Sequence, residues 1–343
     1  MTTNAGRDSR AAQIADEDFA ALPEVLPRSA KFLLNRELSL IEFFRRVLEE
    51  AMDKEQPVLE RLKFLAILSS NLDEFFMIRV SSLKEKYGDK LSIDGMTTQE
   101  QLREIRARLT AMIGTQMKAW REDVLPALTA AGIAVTPFES LTKSEKRILN
   151  QYFKRRVYPI LTPQAVDPSH PFPYISGGSL NLCLMMKPSV GRKIEKAFGK
   201  FKAAEEVFVR IKIPSAAPRL IPVAKDSTRF VPVEDLIAAN FRELIKGANL
   251  EACHAFRVTR DADISLREEK ARDLLELMEE NLKQRRFGDV VRLEVAASMP
   301  KEMVNYLTES LEISPADVYE IDGPVNLNDF MELYKIDRPD LKD

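Results

Sequence analysis

The apolar positions change their spacing once along the chain, and that change organises everything else. Ser39 and Glu42 form a capping-box pattern ahead of apolar residues Ile41, Phe44, Val47 and Leu48, which predicts a helix running to about Met52. Pro57 suits the first turn of a second helix striped by Leu59, Leu62, Leu65 and Leu68. Ser69, Ser70 and Asn71 interrupt that stripe, and Asn71 with Glu74 predicts a new helix start carrying Leu72, Phe75, Phe76, Val80 and Leu83. The longest periodic run opens at Thr98 and continues through Ile105, Leu109, Met112, Ile113, Met117, Trp120, Val124 and Leu128 to a stop at Gly132.

Beyond Gly132 the text is different. Ile133–Val135 reads as a short strand, and Thr142 with Glu145 caps a helix reaching Val157. Five prolines between Tyr158 and Pro173 then exclude regular structure. Alternation follows in Leu180, Leu182, Leu184 and Met186 and again in Val207, Val209, Ile211 and Ile213, as expected of two antiparallel strands. Further strands are expected at Phe230–Val233, Ala255–Val258, Val291–Val295 and Val318–Ile321, with helices near Arg267–Arg286 and Lys301–Leu311. The predicted architecture is multidomain: a tail over 1–30, an N-terminal helical bundle over 31–132, an α+β head domain with a mainly antiparallel sheet over 133–325, and the start of a linker over 326–343.

Composition narrows the function classes. With 45% hydrophobic and 30% charged residues, 12 Gly and 19 Pro, the 343-residue chain is neither collagen-like nor wholly disordered. Its 51 basic and 53 acidic side chains leave a net charge of −2, so no global field draws in nucleic acid or an anionic membrane, and any polyanion site is a local patch. Arg192, Lys193, Lys196, Lys200 and Lys202 make one such patch between two predicted strands, readable as a solvated hairpin tip or as a phosphate-attracting lip. Arg257 and Arg260 could receive phosphate oxygens, but because a surface Arg usually finds a carboxylate they read first as strand-end partners of Asp261 or Asp263. Two cysteines, Cys183 and Cys253, are too few for a disulfide framework, and no apolar run is long enough to span a membrane. Cytoplasm is the expected compartment, with peripheral membrane association left open.

No phosphate-binding glycine loop and no dinucleotide fingerprint is present. Two histidines, His170 and His254, are too few to suggest a metal site, so no metal ligand is assigned. His170 lies in a proline-bound string, Asp167–Pro173, with no nucleophile motif to serve. Asn71 has two readings: a helix cap, or an amide that offers a donor and an acceptor to a purine edge.

Six strings occur together and in order: Leu34-Asn35-Arg36-Glu37-Leu38-Ser39, Leu59 to Leu65, Ser69 to Phe76, Leu161-Thr162-Pro163 through Tyr174-Ile175-Ser176, Arg285-Arg286-Phe287-Gly288, and Leu333-Tyr334 through Asp337-Arg338-Pro339. With them the chain, from about Lys31 to Asp343, closely resembles the amino-terminal half of the larger, phosphohistidine-using bacterial polyphosphate kinases. Leu40 stands where that family usually has tryptophan. The resemblance implies a helical domain and a head domain engaged in homo-oligomer contacts. It also implies reversible transfer of the ATP γ-phosphate to inorganic polyphosphate with Mg2+, and a nucleotide-holding role for Asn71. In the family the phosphorylated histidine and most ATP and polyphosphate contacts lie in two further domains after the Asp337–Asp343 string. The expectation is therefore that these 343 residues supply part of an ATP pocket, need a catalytic half or partner kinase, and are inactive alone. The alternative is a non-catalytic nucleotide-binding or dimerisation module acting on a partner kinase.

Overall fold

The computed structural model describes residues 34–85, 91–166, 172–188, 207–225, 227–244, 248–250, 252–262 and 288–343. The predicted helix near Arg267–Arg286, the Arg192–Lys202 tip and His170 lie outside them. Helix α1, Arg36–Met52, begins a turn earlier than its Ser39 pattern suggests. Asn35 is the cap: its Oδ1 accepts from the backbone N–H groups of Glu37 (3.0 Å) and Leu38 (3.1 Å), while Nδ2 donates to Gln101 Oε1 (3.1 Å) and so fixes the helix start to a neighbour. Helix α2, Val58–Glu74, follows Pro57 as expected. It runs straight through Ser69–Asn71 into a π-helical segment, Phe75–Val80, and a last turn, Ser81–Glu85. Helix α3, Thr98–Ala119, is capped by a Thr97–Glu100 box and continues through a second π-helical segment, Trp120–Val124, to Ala130. Gly132, at φ +86°, turns the chain out of it.

Strand β1, Ala134–Val135, is short, and helix α4, Lys143–Tyr152, has the expected Thr142–Glu145 box. The proline-rich stretch still contributes an edge strand, β2, Gln164–Val166, because its residues fall between prolines and pair only with one neighbour. The remaining strands and α-helices among the described residues are β3 (Leu180–Pro188), β4 (Val207–Lys212), β5 (Leu220–Pro222), β6 (Arg229–Pro232), α5 (Val233–Leu244), β7 (Ala248–Leu250), β8 (His254–Arg260), β9 (Val290–Ala296), α6 (Lys301–Ser310) and β10 (Val318–Ile321).

Among the described residues a seven-stranded sheet runs β10-β9-β8-β3-β4-β2, with β7 also on β3, and a three-stranded sheet runs β1-β6-β5. Pairing is mainly antiparallel, with β10–β9 and β1–β6 parallel. The large sheet is covered on both faces. Leu182, Leu184, Val209 and Ile211 join the helices in one core, while Cys183, Phe208, Phe256, Val258, Leu293 and Val295 pack with Met303 and Leu307 of α6 on the other. The segment read as a linker start is instead folded: a 3₁₀ helix at Leu327–Lys335 buries Leu327, Phe330 and Leu333 against the helical region, where Phe330 meets Trp120 edge to face at 5.1 Å.

Candidate functional site

The site is built where the end of α2 crosses the large sheet. Three polar residues in a row lower helix propensity, yet the helix does not break at Ser69, because tertiary partners take up the polar groups. Ser69 Oγ accepts from Gln116 Nε2 at 2.8 Å, and the same Nε2 donates to the Leu65 carbonyl at 2.8 Å. Leu65, Leu68, Leu72, Phe75 and Phe76 are at most 2% exposed and lock one side of the helix into the core. Asn71 is therefore helix-interior. The Asn71–Glu74 capping box does not form.

The opposite side faces outward. Ile67, Ser70, Asn71, Glu74 and Ile78 follow at spacings that place them on one stripe, with Ile67 36% and Ile78 38% exposed at its two ends. Asn71 is half-buried in the middle, and its side-chain amide makes no hydrogen bond to another described residue. One donor group and one acceptor thus sit ready at the surface, between two apolar side chains.

Asp73, two residues on, points to the sheet and fixes the orientation of that stripe. Residues 257 and 259 of β8 share a strand face, as do 292 and 294 of β9, and the register sets Arg257 opposite Glu294 and Thr259 opposite Arg292. The four make a polar square under α2. Arg257 grips Asp73 with both terminal nitrogens, one at 2.8 Å, and donates to Glu294 at 2.8 Å and to the Gly178 carbonyl at 3.1 Å. Arg292 also reaches Asp73, donates to Thr259 Oγ1 at 2.8 Å, and stacks 4.5 Å from the Phe76 ring centre. Two cations meet two anions with Arg292 only 1% and Arg257 5% exposed. Burial pushes the Asp73 carboxyl up, but the Arg257 hydrogen bond and the Arg292 and Arg257 charges outweigh it, so its pKa lies below the usual range. Burial opposes the Arg257 charge, and Glu294 with Asp73 more than restores it.

Arg257 is consequently no accessible cation; its carboxylate partners among the described residues are Asp73 and Glu294, and Asp263 lies outside those residues. The sequence reading missed Asp73, Arg292 and Glu294 as one cluster. Its one visible signal is the alternation Val291-Arg292-Leu293-Glu294-Val295, which an exposed strand face would also produce. Arg192, Lys193 and Lys196 lie outside the described residues. His254 is 7% exposed with Nδ1 3.2 Å from Ser298 Oγ. Among the described residues no group of three or more His, Cys, Asp or Glu side chains is arranged to hold a metal ion.

Two family models divide the chain between them. Residues 33–136 match the polyphosphate kinase N-terminal domain and residues 144–333 the polyphosphate kinase middle domain. The chain belongs to the polyphosphate kinase family. A polyphosphate kinase of Prosthecochloris aestuarii is 40% identical over 339 residues, covering 95% of this chain and 46% of the relative. Polyphosphate kinase 1 of Chlorobaculum tepidum is 42% identical over 322 residues, covering 90% and 44%. The crystal structure of polyphosphate kinase from Porphyromonas gingivalis superposes with a TM-score of 0.70 at 24% identity, over 90% of this chain and 42% of that one, which shows a shared fold. The chain spans less than half the length of the relatives it matches. The α2 stripe lies in the N-terminal match, and the buried ionic brace joins Asp73 of that match to Arg257, Arg292 and Glu294 of the middle-domain match.

Proposed function

We propose that this chain supplies the nucleotide-side wall of an ATP:polyphosphate phosphotransferase, with Asn71 contacting the base of ATP. The observation that carries the reading is the Asn71 amide, without a hydrogen bond to another described residue, on an outward stripe whose backbone is anchored from behind by Asp73. An amide of this kind can donate to a ring nitrogen and accept from an exocyclic amine, and Ile67 and Ile78 give the apolar surface that a flat base prefers. Phosphoryl transfer also needs a nucleophile in line with the γ-phosphate and cations for the charge that develops. Asn71 and its stripe provide neither, so in this reading the transferring group, the Mg2+ ligands and the polyphosphate acceptor site are brought by the rest of the enzyme, in a homo-oligomer.

The test is Asn71→Ala in enzyme that includes the catalytic part. Loss of one net hydrogen bond is worth about 1 kcal/mol, so KM for ATP should rise roughly fivefold while kcat changes little. Since Asn71 is helix-interior, alanine should hold or slightly raise the melting temperature. Unchanged ATP kinetics would remove the nucleotide role.

A further inference from the structure

Strand β4 carries a cation that the α2 site does not use. Its alternation turns Val209 and Ile211 toward the helices and Phe208 toward Tyr306 of α6, so Arg210 and Lys212 lie on the sheet face away from α2. Lys212 is exposed at the strand end, whereas Arg210 is only 5% exposed. Arg210 Nε donates to Asn181 Oδ1 at 2.8 Å and Nη1 donates to Gln164 Oε1 at 2.6 Å. Both acceptors are neutral amide oxygens. Nη2 makes no hydrogen bond to a described residue and is not enclosed, so it opens to the surface.

What Arg210 lacks is a counter-ion. Five arginines are buried among the described residues, and four of them meet a carboxylate: Arg61 meets Asp123, Arg219 meets Glu234 and Asp329, and Arg257 and Arg292 share Asp73 and Glu294. Arg210 meets none among the described residues. Burial lowers its pKa to about 10, whereas despite burial the carboxylates beside Arg219 and Arg257 raise theirs. Lys212 adds a second charge of the same sign. Its Nζ donates to Ser176 Oγ at 2.7 Å, and no carboxylate among the described residues reaches it. Positions two apart on one strand place the two side chains about 7 Å from each other at their Cα atoms. A buried cation beside another cation is unfavourable by itself, and an anion held between them offsets both the desolvation and the repulsion.

We propose that Arg210 and Lys212 form a binding site for a dianionic phosphate group, on the sheet face turned away from α2 and its nucleotide wall. Two positive charges match the charge such a group carries near neutral pH, while a single carboxylate would leave one cation unbalanced. Tetrahedral oxygens accept from donors arriving in different directions, here Nη2 of Arg210, Nζ of Lys212 and the amide nitrogen of Gln164. Gln164 stands directly across from Arg210 on the edge strand β2 and is exposed, so the site is reached from that edge. Internal units of a phosphate chain carry a single charge each, so the group is free phosphate or the end of such a chain.

Isothermal titration of the purified chain with inorganic phosphate at neutral pH, with sulfate and acetate as competitors, tests the site. One phosphate should bind per chain, sulfate should displace it, and acetate should not. Lys212→Gln should weaken binding roughly tenfold, as expected for loss of one charge-assisted hydrogen bond, with an unchanged melting temperature. Arg210→Gln should weaken it at least as much; where that variant fails to fold, Lys212→Gln decides alone. Lys143→Gln, at an exposed position on α4, should bind phosphate as the parent does. Tighter binding of pyrophosphate than of phosphate identifies a chain end as the source of the group, and equal or weaker binding identifies free phosphate; both support the site. No saturable phosphate binding by the parent, parent-like affinity in Lys212→Gln, or an equal loss in Lys143→Gln overturns it. Displacement by acetate as effective as that by sulfate also overturns it, because the cations would then suit a carboxylate. The site does not rest on the nucleotide role of Asn71, whose ATP kinetics are read separately.

Discussion

Asp73 shows how one side chain sets the behaviour of a surface it does not join. Its carboxylate is shared by two buried guanidinium groups, and Glu294 balances the remaining charge. Removing one member leaves a buried cation without its partner, a situation that costs about 3 to 5 kcal/mol. Asp73→Asn should therefore lower stability by an amount in that range in denaturant melts. The deficit should depend on pH in a fixed direction. Because the folded Asp73 pKa lies below its unfolded value near 3.8, its contribution is fully present above about pH 4 and fades as pH falls through the folded value. The gap between Asp73→Asn and the parent should accordingly narrow in acid. A loss of less than 1 kcal/mol at neutral pH would show that the square of charges is self-sufficient without the helix. Asp235 works with the opposite sign. Burial first, then the charges of Glu234 and Glu139, push its pKa up to about 7, so ionising it opposes folding over the window from about pH 4 to pH 7. Asp235→Asn should gain melting temperature over the parent progressively through that window and hold the gain above it. An equal gain at pH 4 and pH 8 would assign the effect to something other than titration.

At the scale of elements, period and caps were legible where local rules act alone. The strand at Val318–Ile321, the Thr142–Glu145 box and the end of α1 at Met52 all stand where apolar period and capping residues put them. The failures have a common physical source. At Ser69–Asn71 a local break was expected, and Gln116 on α3 supplied hydrogen bonds that no reading of α2 by itself contains. At α1 the cap moved to Asn35 because Gln101, 66 residues away, holds that amide. On β8 the sequence leaves Arg257 open between phosphate receiver and ion-pair partner, and only the arrival of α2 over the sheet makes it a buried brace. Arg210 on β4 is a parallel case: at 5% exposure it is bonded to Asn181 Oδ1 at 2.8 Å, and burial lowers its pKa to about 10. Asn71 itself was legible as a chemical group, by type and by resemblance, while its helix-interior setting was not.

At the scale of the molecule, the helical region and the sheet region are joined by more than the Gly132 turn. One apolar core runs from α1, α2 and α3 into β3 and β4 and on to Phe330 and Leu333. Polar ties follow the same seam: Arg106 donates to the Val318 carbonyl at 2.9 Å, Lys84 meets Asp317 at 2.6 Å, and Tyr334 bonds Glu60 while Lys63 and Lys342 lie 5.0 and 4.9 Å from its ring centre. Arg219, beside β5, gathers Glu234, Asp329 and the Val325 carbonyl, and so fastens the small sheet to the same 3₁₀ segment. Two regions that share a core and a buried ionic network have little to gain by unfolding separately, because parting them exposes apolar surface and strands charges on both sides. The expected outcome is a single calorimetric transition. Phe330→Ala, which empties the contact with Trp120, should cost about 3 to 5 kcal/mol and move that transition as a whole. Hydrogen exchange gives the residue-level check: amides of α3 and of β8 should lose protection together in the variant. Faster exchange confined to the helices, with β8 and β9 protected as before, would mean that the shared core does not couple the two regions. The α2 stripe would then owe its position to the helical bundle alone, with Asp73 contributing orientation but no cooperativity.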